Sequence, residues 1–451
     1  MRRKVAEQLG LVTTTADHVR ARELAMMSHV LDDLPKAVDL VYGDLLDKNG
    51  EPNTGREAMT AEQVLRAMVL KQRFALSYEG LAFVLSDSNS VRAFCRLPLS
   101  MPTPARSTLQ SNIKRVKAST WEQINRWVIG YAQEKKIESG RSTRSDCTVV
   151  ESNIHEPYDS SLLWDCVRVL VRLMTKARDE FGARFQSRRR RAKRRAMGIL
   201  NAKTKEQRKA LYRDLLKVTN ETMSQASDVV IQLAITPAAD AKGAVARFMI
   251  EQEIKAVLEL AKRVVEQTER RVLRGESVPA NEKIVSIFEP HTDIIVKDRR
   301  DTFYGHKVCL TTGASGLVLD LVVENGNPSD TTLAQKMVER VGSVLGKAPK
   351  QVSFDGGFSS KANVAEIKKL GVTDVVFSKH VGLDVTDMAK SSWVFRKLRN
   401  FRAGIEAGIS FLKRTFGLRR CNWSGFDSFG AYVWGSVLSC NLLVVARHLL
   451  E

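Results

Sequence analysis

Short β-branched runs alternate with helical patterning over the last third of the chain, and this alternation limits the possible folds more than any other feature. The strand-like runs are residues 284–288, 294–296, 307–311, 318–323, 351–354 and 373–377. Helical patterning separates the later runs at about residues 331–345 and 361–370, and the turn between Gly313 and Gly316 predicts a hairpin. Strands followed by alternating helix and strand predict one mixed α/β sheet flanked by helices.

A further β-branched run, residues 144–150, stands much earlier and is followed by a long helical block that continues to about residue 275. If this run belongs to the same sheet, the helical block is an insertion into the sheet domain. We therefore predict a first strand within residues 141–160, a helical basic insertion at 161–280, and the remainder of the sheet domain at 281–451.

The first 140 residues are patterned as short capped helices. Thr60 and Gln63 form the sequence of a capping box, and Ser77 can cap the next helix. A second capping box at Ser107 predicts a helix that carries Lys114 and Arg115 on its later turns. Short helices with a basic last one are typical of a helix-turn-helix DNA-binding domain, which we assign to residues 1–140. A plain helical bundle with a solvated basic face fits the same pattern.

The charge of the chain favours a nucleic-acid partner. The sequence contains 71 Lys and Arg residues against 51 Asp and Glu residues, a formal net charge of +20. Residues 184–217 hold fourteen basic residues and two acidic ones. Such a run is often a solvated helix face, but its self-repulsion favours a polyanion nearby. We interpret its densest part as a DNA contact formed by Arg188, Arg189, Arg190 and Arg191.

One carboxylate stands alone in a second basic region. Nine Lys or Arg residues and a single acid, Glu406, lie between Asp387 and Asp427. At helical pitch Arg402, Glu406 and Lys413 share one face. This arrangement suits a carboxylate that binds a divalent ion beside a phosphate backbone held by the cations.

Two further acids stand at strand positions. Asp146 lies within the first predicted strand, and Asp355 ends a strand directly before Gly356 and Gly357. Such acids often only cap the next helix, but the glycines allow a backbone or a phosphate to approach Asp355 closely. Two-metal phosphodiester chemistry needs a few carboxylates that converge from different elements. Asp146, Asp355 and Glu406 are the candidate set.

Other classes of site find little support. The six cysteines form no C-x-x-C pair and no regular spacing, which argues against a disulfide framework and a zinc site. No apolar run follows the N-terminal charges, and no segment reaches eighteen uninterrupted apolar residues. We therefore expect a cytoplasmic, nucleoid-associated protein without a membrane partner. His155 and His306 flank strands, where a hydrogen-bonded structural role is the more common one, and we leave both outside the catalytic set.

Several motifs, taken in order, resemble those of the DDE transposases of bacterial insertion sequences. They are residues 146–163, 291–297 with 303–308, the turn 326–330, residues 354–359, and Arg402-x3-Glu406-x6-Lys413. The resemblance spans roughly residues 60 to 445. It implies a ribonuclease-H-like domain with Asp146 on the first strand, Asp355 on the fourth and Glu406 on a later helix, together binding two Mg²⁺ or Mn²⁺ ions.

The resemblance also implies a reaction and its partners. A metal-activated water would cut at each transposon end, and the freed 3′-OH would attack target DNA. Arg402 and Lys413 would position phosphates, although a purely solvating role fits their sequence equally well. The family often has Tyr where Phe401 stands here, so any hydroxyl contact from that position is lost. Double-stranded DNA, bound by a homodimer that pairs two ends, is the implied partner. The helical insertion is the part that the resemblance explains least.

Two alternatives remain open from the sequence. A metal-dependent DNA nuclease would use the same acids without strand transfer. A catalytically decayed DNA-binding protein would retain the charge pattern, with the acids serving only structure.

Overall fold

The computed structural model describes residues 3–5, 16–46, 58–98, 100–237, 240–297, 301–379 and 382–451. These residues form two compact units. The first consists of Met1–Glu151 together with His306–Glu451, and the second of Ser152–Gly305. The predicted insertion, residues 161–280, falls within the second unit; the predicted domain boundaries themselves stay a prediction.

Seven α-helices, counted over the described residues, open the first unit. They are α1 (Val19–Asp32), α2 (Lys36–Leu45), α3 (Ala61–Arg73), α4 (Tyr78–Asp87), α5 (Asn89–Phe94), α6 (Arg106–Ile113) and α7 (Ala118–Glu134). Thr60 and Gln63 form the expected capping box at the start of α3, and the Ser77 side chain accepts a hydrogen bond from the backbone N–H of Gly80 at the start of α4. Local side-chain chemistry therefore sets where these helices begin.

The prediction for α6 is wrong in two respects. The helix begins at Arg106 after Ala105, which makes no side-chain cap, so Ser107 lies inside the first turn and forms no capping box. The helix ends at Ile113, and Lys114 and Arg115 follow in the turn toward α7 instead of on later helical turns. The sequence pattern predicted too long a helix, because the polar residues after Ile113 resemble an exposed helix face.

In the part of the chain that the structure describes, six strands follow the helical region. They are β1 (Ser142–Glu151), β2 (Asp293–Lys297), β3 (Asp301–Thr312), β4 (Val318–Val323), β5 (Gln351–Phe354) and β6 (Asp374–Phe377). In the first unit the strand order is β4-β3-β1-β5-β6. The β3–β4 pair is an antiparallel hairpin, as predicted, whereas β1–β5 and β5–β6 are parallel. The fold is therefore a mixed α/β sheet of the ribonuclease-H-like kind.

Five α-helices of the described residues lie between or after the later strands in the sequence, and they complete the first unit. They are α12 (Ala334–Leu345), α13 (Lys361–Lys369), α14 (Val385–Met388), α15 (Ser392–Thr415) and α16 (Phe426–Leu450). Helix α15 packs against β1, β5 and β6. This contact brings the helix that bears Glu406 onto the strands that bear Asp146 and precede Asp355.

Helix α16 forms the centre of the first unit. It is apolar around its whole circumference and packs against α7, α1 and α3. Its length and composition would allow it to cross a membrane, but 89% of its most apolar stretch is buried inside the structure. A helix that is apolar on all sides and buried in this way is a core helix.

Among its described residues the second unit contains four α-helices, α8 (Asp159–Phe181), α9 (Arg189–Asn201), α10 (Lys205–Ile235) and α11 (Ala241–Thr268). Strand β2 pairs here with Asp301–Gly305, the first residues of β3. The strand predicted at residues 284–288 is absent, and this part of the chain is irregular. The side chain of Gln267 instead binds both backbone groups of Ile284, which leaves neither for a neighbouring strand.

The cysteines differ from the prediction at one pair. Cys147 of β1 and Cys309 of β3 form a disulfide, although 162 residues separate them in sequence. The spacing argument against disulfides is wrong for this pair. The two cysteines meet because β1 and β3 are neighbouring strands of the sheet, and the spacing of cysteines along the chain does not show which strands are neighbours. The other four cysteines are buried and form no disulfide.

Candidate active site

The register of the parallel strands brings Asp146 and Asp355 together. Ser145 of β1 is paired with Phe354 of β5, so the residue that follows each of them lies at the same level of the sheet. Phe354 is also paired with Phe377 of β6, which places Ser378 beside Asp355. Ser378 donates a hydrogen bond of 2.8 Å from its hydroxyl to Asp355 Oδ1. The end of this sheet therefore carries a row of polar groups.

Helix α15 places Arg402 against all three candidate acids. Nη1 of Arg402 lies 3.3 Å from Asp355 Oδ1 and 3.9 Å from Asp146 Oδ2. Nη2 lies 2.8 Å from Glu406 Oε1. The Arg402 side chain is 15% exposed, whereas that of Glu406 is 65% exposed. Carboxylates separated by 209 and 51 residues in sequence thus share one guanidinium.

The contacts of Arg402 define an electrostatic cluster. Carboxylates brought this close repel one another, and the guanidinium between them offsets that repulsion by its positive charge and donates a hydrogen bond to Glu406. Within the described part of the chain, Nε of Arg402 is buried and has no hydrogen-bond partner. Arg402, predicted to contact phosphate, thus binds the three acids within the protein.

The surroundings of Asp355 keep its carboxylate ionised. Burial alone would raise its pKa, but the hydroxyl of Ser378, the backbone N–H of Gly356, and the charges of Arg402 and Lys379 together lower the pKa below its usual value. Hydrogen bonds and cations that favour the charged form outweigh desolvation here. Asp355 is therefore available as an anionic ligand at neutral pH.

Gly356 and Gly357 have a packing role in the loop after Asp355. A Cβ at position 356 would lie 2.8 Å from the Cβ of Lys379, and one at position 357 would lie 3.1 Å from Asp330 Oδ2. The two glycines were predicted to let a backbone or a phosphate come close to Asp355. In the structure, side chains of the protein itself occupy part of the space beside them. The loop holds the exposed Lys379 next to the Asp355 carboxylate.

The turn at residues 326–330 packs against the same loop. Lys307 of β3 donates hydrogen bonds to Pro328 O, at 2.6 Å, and to Asp330 Oδ1, at 2.8 Å. The hydroxyl of Thr331 donates to Gly357 O at 3.1 Å. Two of the motifs noted in the sequence therefore support the position of the loop that follows Asp355.

The donor set has the chemistry of a hard-cation site. Carboxylate oxygens are the ligands that Mg²⁺ and Mn²⁺ prefer, and the three acids are the only ones that contact Arg402 among the described residues. No group of three or more His, Cys, Asp or Glu side chains in the described ranges is arranged to bind a metal ion directly. We attribute this to Arg402, toward which all three carboxylates are turned. The three carboxylates have the oxygen chemistry that a divalent ion needs, and in this arrangement they are paired with Arg402.

The remaining predicted cations of the first unit stand at other positions of the fold. Lys413 is half-buried on α15, seven residues after Glu406, which is about 10 Å along the helix. Nζ of Lys114 lies 5.8 Å from the centre of the Trp423 ring. Arg115 is half-buried in the turn before α7.

The basic run of α9 divides into two groups. Arg188 pairs with Glu221, and Arg191 and Arg195 both pair with Asp214. Arg189, Arg190, Lys193 and Arg194 are exposed, and no ion pair involves them among the described residues. Helical pitch separates the two groups, since residues three and four apart share a face.

The two histidines make structural contacts. Nε2 of His155 lies 2.8 Å from Asp165 Oδ2, and its Nδ1 lies 3.0 Å from Glu156 O. The Asp165 hydrogen bond and charge outweigh burial and raise the pKa of His155. His306 is buried, and its ring packs edge-on against Phe426 and Phe429.

Three residues near the cluster were missed by the sequence analysis. Ser378 and Lys379 directly follow the strand predicted at 373–377, so the same strand-end rule that singled out Asp355 would have found them. Arg144 lies two residues before Asp146 and binds the backbone of α15. Sequence spacing marks Arg144 as sharing a strand face with Asp146, but its partner on α15 is 257 residues away and no local signal points to it.

Comparisons with known families identify the class of protein. A family model described as Transposase DDE domain matches residues 291–442, and one described as Transposase domain (DUF772) matches residues 19–115. The first range contains Asp355 and Glu406, whereas Asp146 lies outside both. No curated protein and no solved structure gives a significant match.

The fold and the matched domains define an enzyme that cuts and moves DNA. Both matched families are transposase domains, and together they indicate a DDE transposase of an insertion sequence. DNA is accordingly its substrate class, and DDE transposase domains generally use divalent metal ions.

Proposed function

We propose that this transposase binds the inverted-repeat ends of an insertion sequence, cleaves the DNA by two-metal phosphodiester hydrolysis, and joins the 3′-OH ends to target DNA. The observation that carries the proposal is the convergence of Asp146, Asp355 and Glu406, from two strands and a helix, on the single guanidinium of Arg402. A purely structural ion pair needs one acid, whereas an in-line displacement needs several.

We assign metal binding to the three acids and phosphate binding to the nearby cations. Asp146, Asp355 and Glu406 would hold two Mg²⁺ or Mn²⁺ ions, which when bound supply a nucleophile and stabilise the leaving oxygen. Asp355 is kept anionic by Ser378 and the Gly356 N–H. Arg402 balances the three carboxylates and, once released from them, is placed to bind a phosphate. Lys379 adds positive charge beside Asp355, and Lys413 would add a further cation along α15 for the phosphate backbone.

The rest of the chain would bind DNA more widely. The helices within residues 1–140, with Lys114 and Arg115, would read the transposon end as a helix-turn-helix-like domain. The exposed arginines of α9 would hold the phosphate backbone. Pairing of two ends calls for at least a dimer on DNA, and the expected location is the cytoplasm.

A direct test uses a DNA fragment that carries the sequences flanking the coding region. We expect cleavage at the element ends in the presence of Mg²⁺ and none with EDTA. Cleavage at random positions would favour a nuclease, and the absence of cleavage with intact binding would favour a decayed transposase.

Replacing Arg188, Arg189, Arg190 and Arg191 with Ala is expected to weaken DNA binding and flatten its salt dependence. Since Arg188 and Arg191 are held in ion pairs within the unit, the Arg189→Ala/Arg190→Ala protein is expected to show most of the effect. Each lost phosphate contact lowers the slope of log affinity against log salt by about 0.9, so the double variant should lose close to two. Fluorescence anisotropy at several salt concentrations measures this slope.

The matched control is Lys262→Ala on α11, another exposed cation of the second unit, paired with Glu259. Its salt slope is expected to equal that of wild type. An unchanged slope in the Arg189/Arg190 double variant would show that this face of α9 contacts only solvent.

A further inference from the structure

Arg144 joins the strand that bears Asp146 to the helix that bears Glu406. It lies two residues before Asp146 on β1, so the two side chains lie on the same face of the sheet. Its Nη1 donates a 2.8 Å hydrogen bond to the carbonyl oxygen of Phe401 on α15. Its Nε donates a 3.0 Å hydrogen bond to the hydroxyl of Thr312 on β3. One guanidinium thus bonds to two elements besides its own strand.

The helix is shaped to receive this side chain. A Cβ at Gly404 would lie 2.0 Å from Nη1 of Arg144, so only glycine lets the guanidinium lie against the helix in this position. A glycine inside a helix costs roughly 1 kcal/mol of stability relative to alanine. The close approach of Arg144 explains why a glycine stands at position 404 despite this cost. The Arg144 guanidinium also lies 4.6 Å from the centre of the Phe401 ring.

This contact lies on the turn of α15 that carries the residues of the candidate site. Phe401 and Gly404 bracket Arg402, and Glu406 follows Gly404 by two residues. A helix turns once in 3.6 residues, so fixing the 401–404 turn fixes the direction in which both Arg402 and Glu406 project. The contact with Arg144 uses the ring and the backbone carbonyl of Phe401, so it does not require a hydroxyl on the side chain at this position.

We propose that Arg144 is a positioning residue that holds α15 in register with β1, so that Glu406 can act together with Asp146 on one divalent ion. This inference rests on the proposed function. It assigns Arg144 no contact with the substrate or the metal. Its effect passes through the backbone of α15.

The test measures Mn²⁺ binding to the full-length protein without DNA, by electron paramagnetic resonance or calorimetry. Four proteins are compared: wild type, Arg144→Met, Glu406→Gln and the double variant. In the wild-type background we expect Glu406→Gln to weaken Mn²⁺ binding at least about tenfold. In the Arg144→Met background we expect weak binding already, with less than about a twofold further loss on adding Glu406→Gln.

A merely structural Arg144 would lower the melting temperature yet leave the Glu406→Gln effect on Mn²⁺ affinity equal in both backgrounds, and that result would overturn the inference. A wild-type protein whose Mn²⁺ affinity does not change on Glu406→Gln would instead overturn the proposed metal role itself. The two failures are therefore distinguishable.

Two further variants keep the test decisive if Arg144→Met does not fold. Arg144→Lys keeps the charge but loses the two-nitrogen fork, and we expect an intermediate loss of Mn²⁺ affinity with a partial loss of coupling to Glu406. Arg126→Met is the matched control, because Arg126 is partly buried in the same unit and pairs with Glu122. It is expected to bind Mn²⁺ like wild type. A loss equal to that of Arg144→Lys would refute a specific role for Arg144.

Discussion

The Asp355→Asn protein is expected to lose DNA cleavage by at least about a hundredfold while its affinity for DNA stays within about twofold of wild type. Replacing groups that only support a metal ligand already costs roughly 10- to 100-fold, and Asp355 is proposed as a ligand itself. The substitution changes volume little and keeps a hydrogen-bond acceptor for Ser378. Cleavage of end-containing DNA and anisotropy of the same labelled DNA measure the two quantities.

The control for this prediction is Asp384→Asn. Asp384 is exposed and precedes α14 as its N-cap, a position where Asn serves as well as Asp. We expect wild-type cleavage from this variant. If Asp355→Asn cut DNA as well as Asp384→Asn did, the assignment of the three carboxylates to catalysis would be wrong.

Lys71→Met is expected to raise the free energy of unfolding at pH 7 by between about 1 and 3 kcal/mol. Lys71 on α3 is 1% exposed, and no carboxylate pairs with it among the described residues. Its Nζ lies 5.0 Å, 5.4 Å and 5.8 Å from the ring centres of Tyr78, Tyr432 and Trp423. Burial lowers its pKa from 10.5 to about 8. Cation–π contacts offset part of this cost.

The pH dependence gives the sign of the Lys71 effect. The unfolded chain holds the proton more tightly than the folded one, so the charged lysine destabilises the fold at every pH below about 8. That cost is relieved as the pH rises from about 8 toward 10.5. Urea unfolding at pH 7 and pH 10 should therefore show the advantage of Lys71→Met shrinking. An advantage that does not change with pH, or a loss of stability at pH 7, would contradict the account.

Much of the fold could be predicted because its signals are local. The capping residues Thr60 and Ser77 set helix starts, and the β-branched runs at 307–311 and 318–323 lie within an observed hairpin. Errors arose where distant groups decide the outcome. The run at 284–288 is not a strand because Gln267 takes the backbone groups of Ile284, and no local pattern records that contact.

The candidate site divides in the same way. Asp355 and Glu406 were found from a strand end and from an isolated acid in a basic helix. Their convergence with Asp146 depends on the β1–β5 register and on the docking of α15, which are long-range properties. Arg402 was expected to face phosphate, and its three ion pairs with the acids required the tertiary structure. Arg144 was missed for the same reason.

The most direct test of the central claim is strand transfer from pre-cut ends. Purified protein, labelled DNA that ends in a free 3′-OH at the terminus of the element, and a supercoiled target plasmid are incubated with Mg²⁺. The account predicts labelled DNA joined covalently to the plasmid by wild-type protein and none by Asp355→Asn. End cleavage by the wild-type protein without any joined product would contradict it and identify a nuclease.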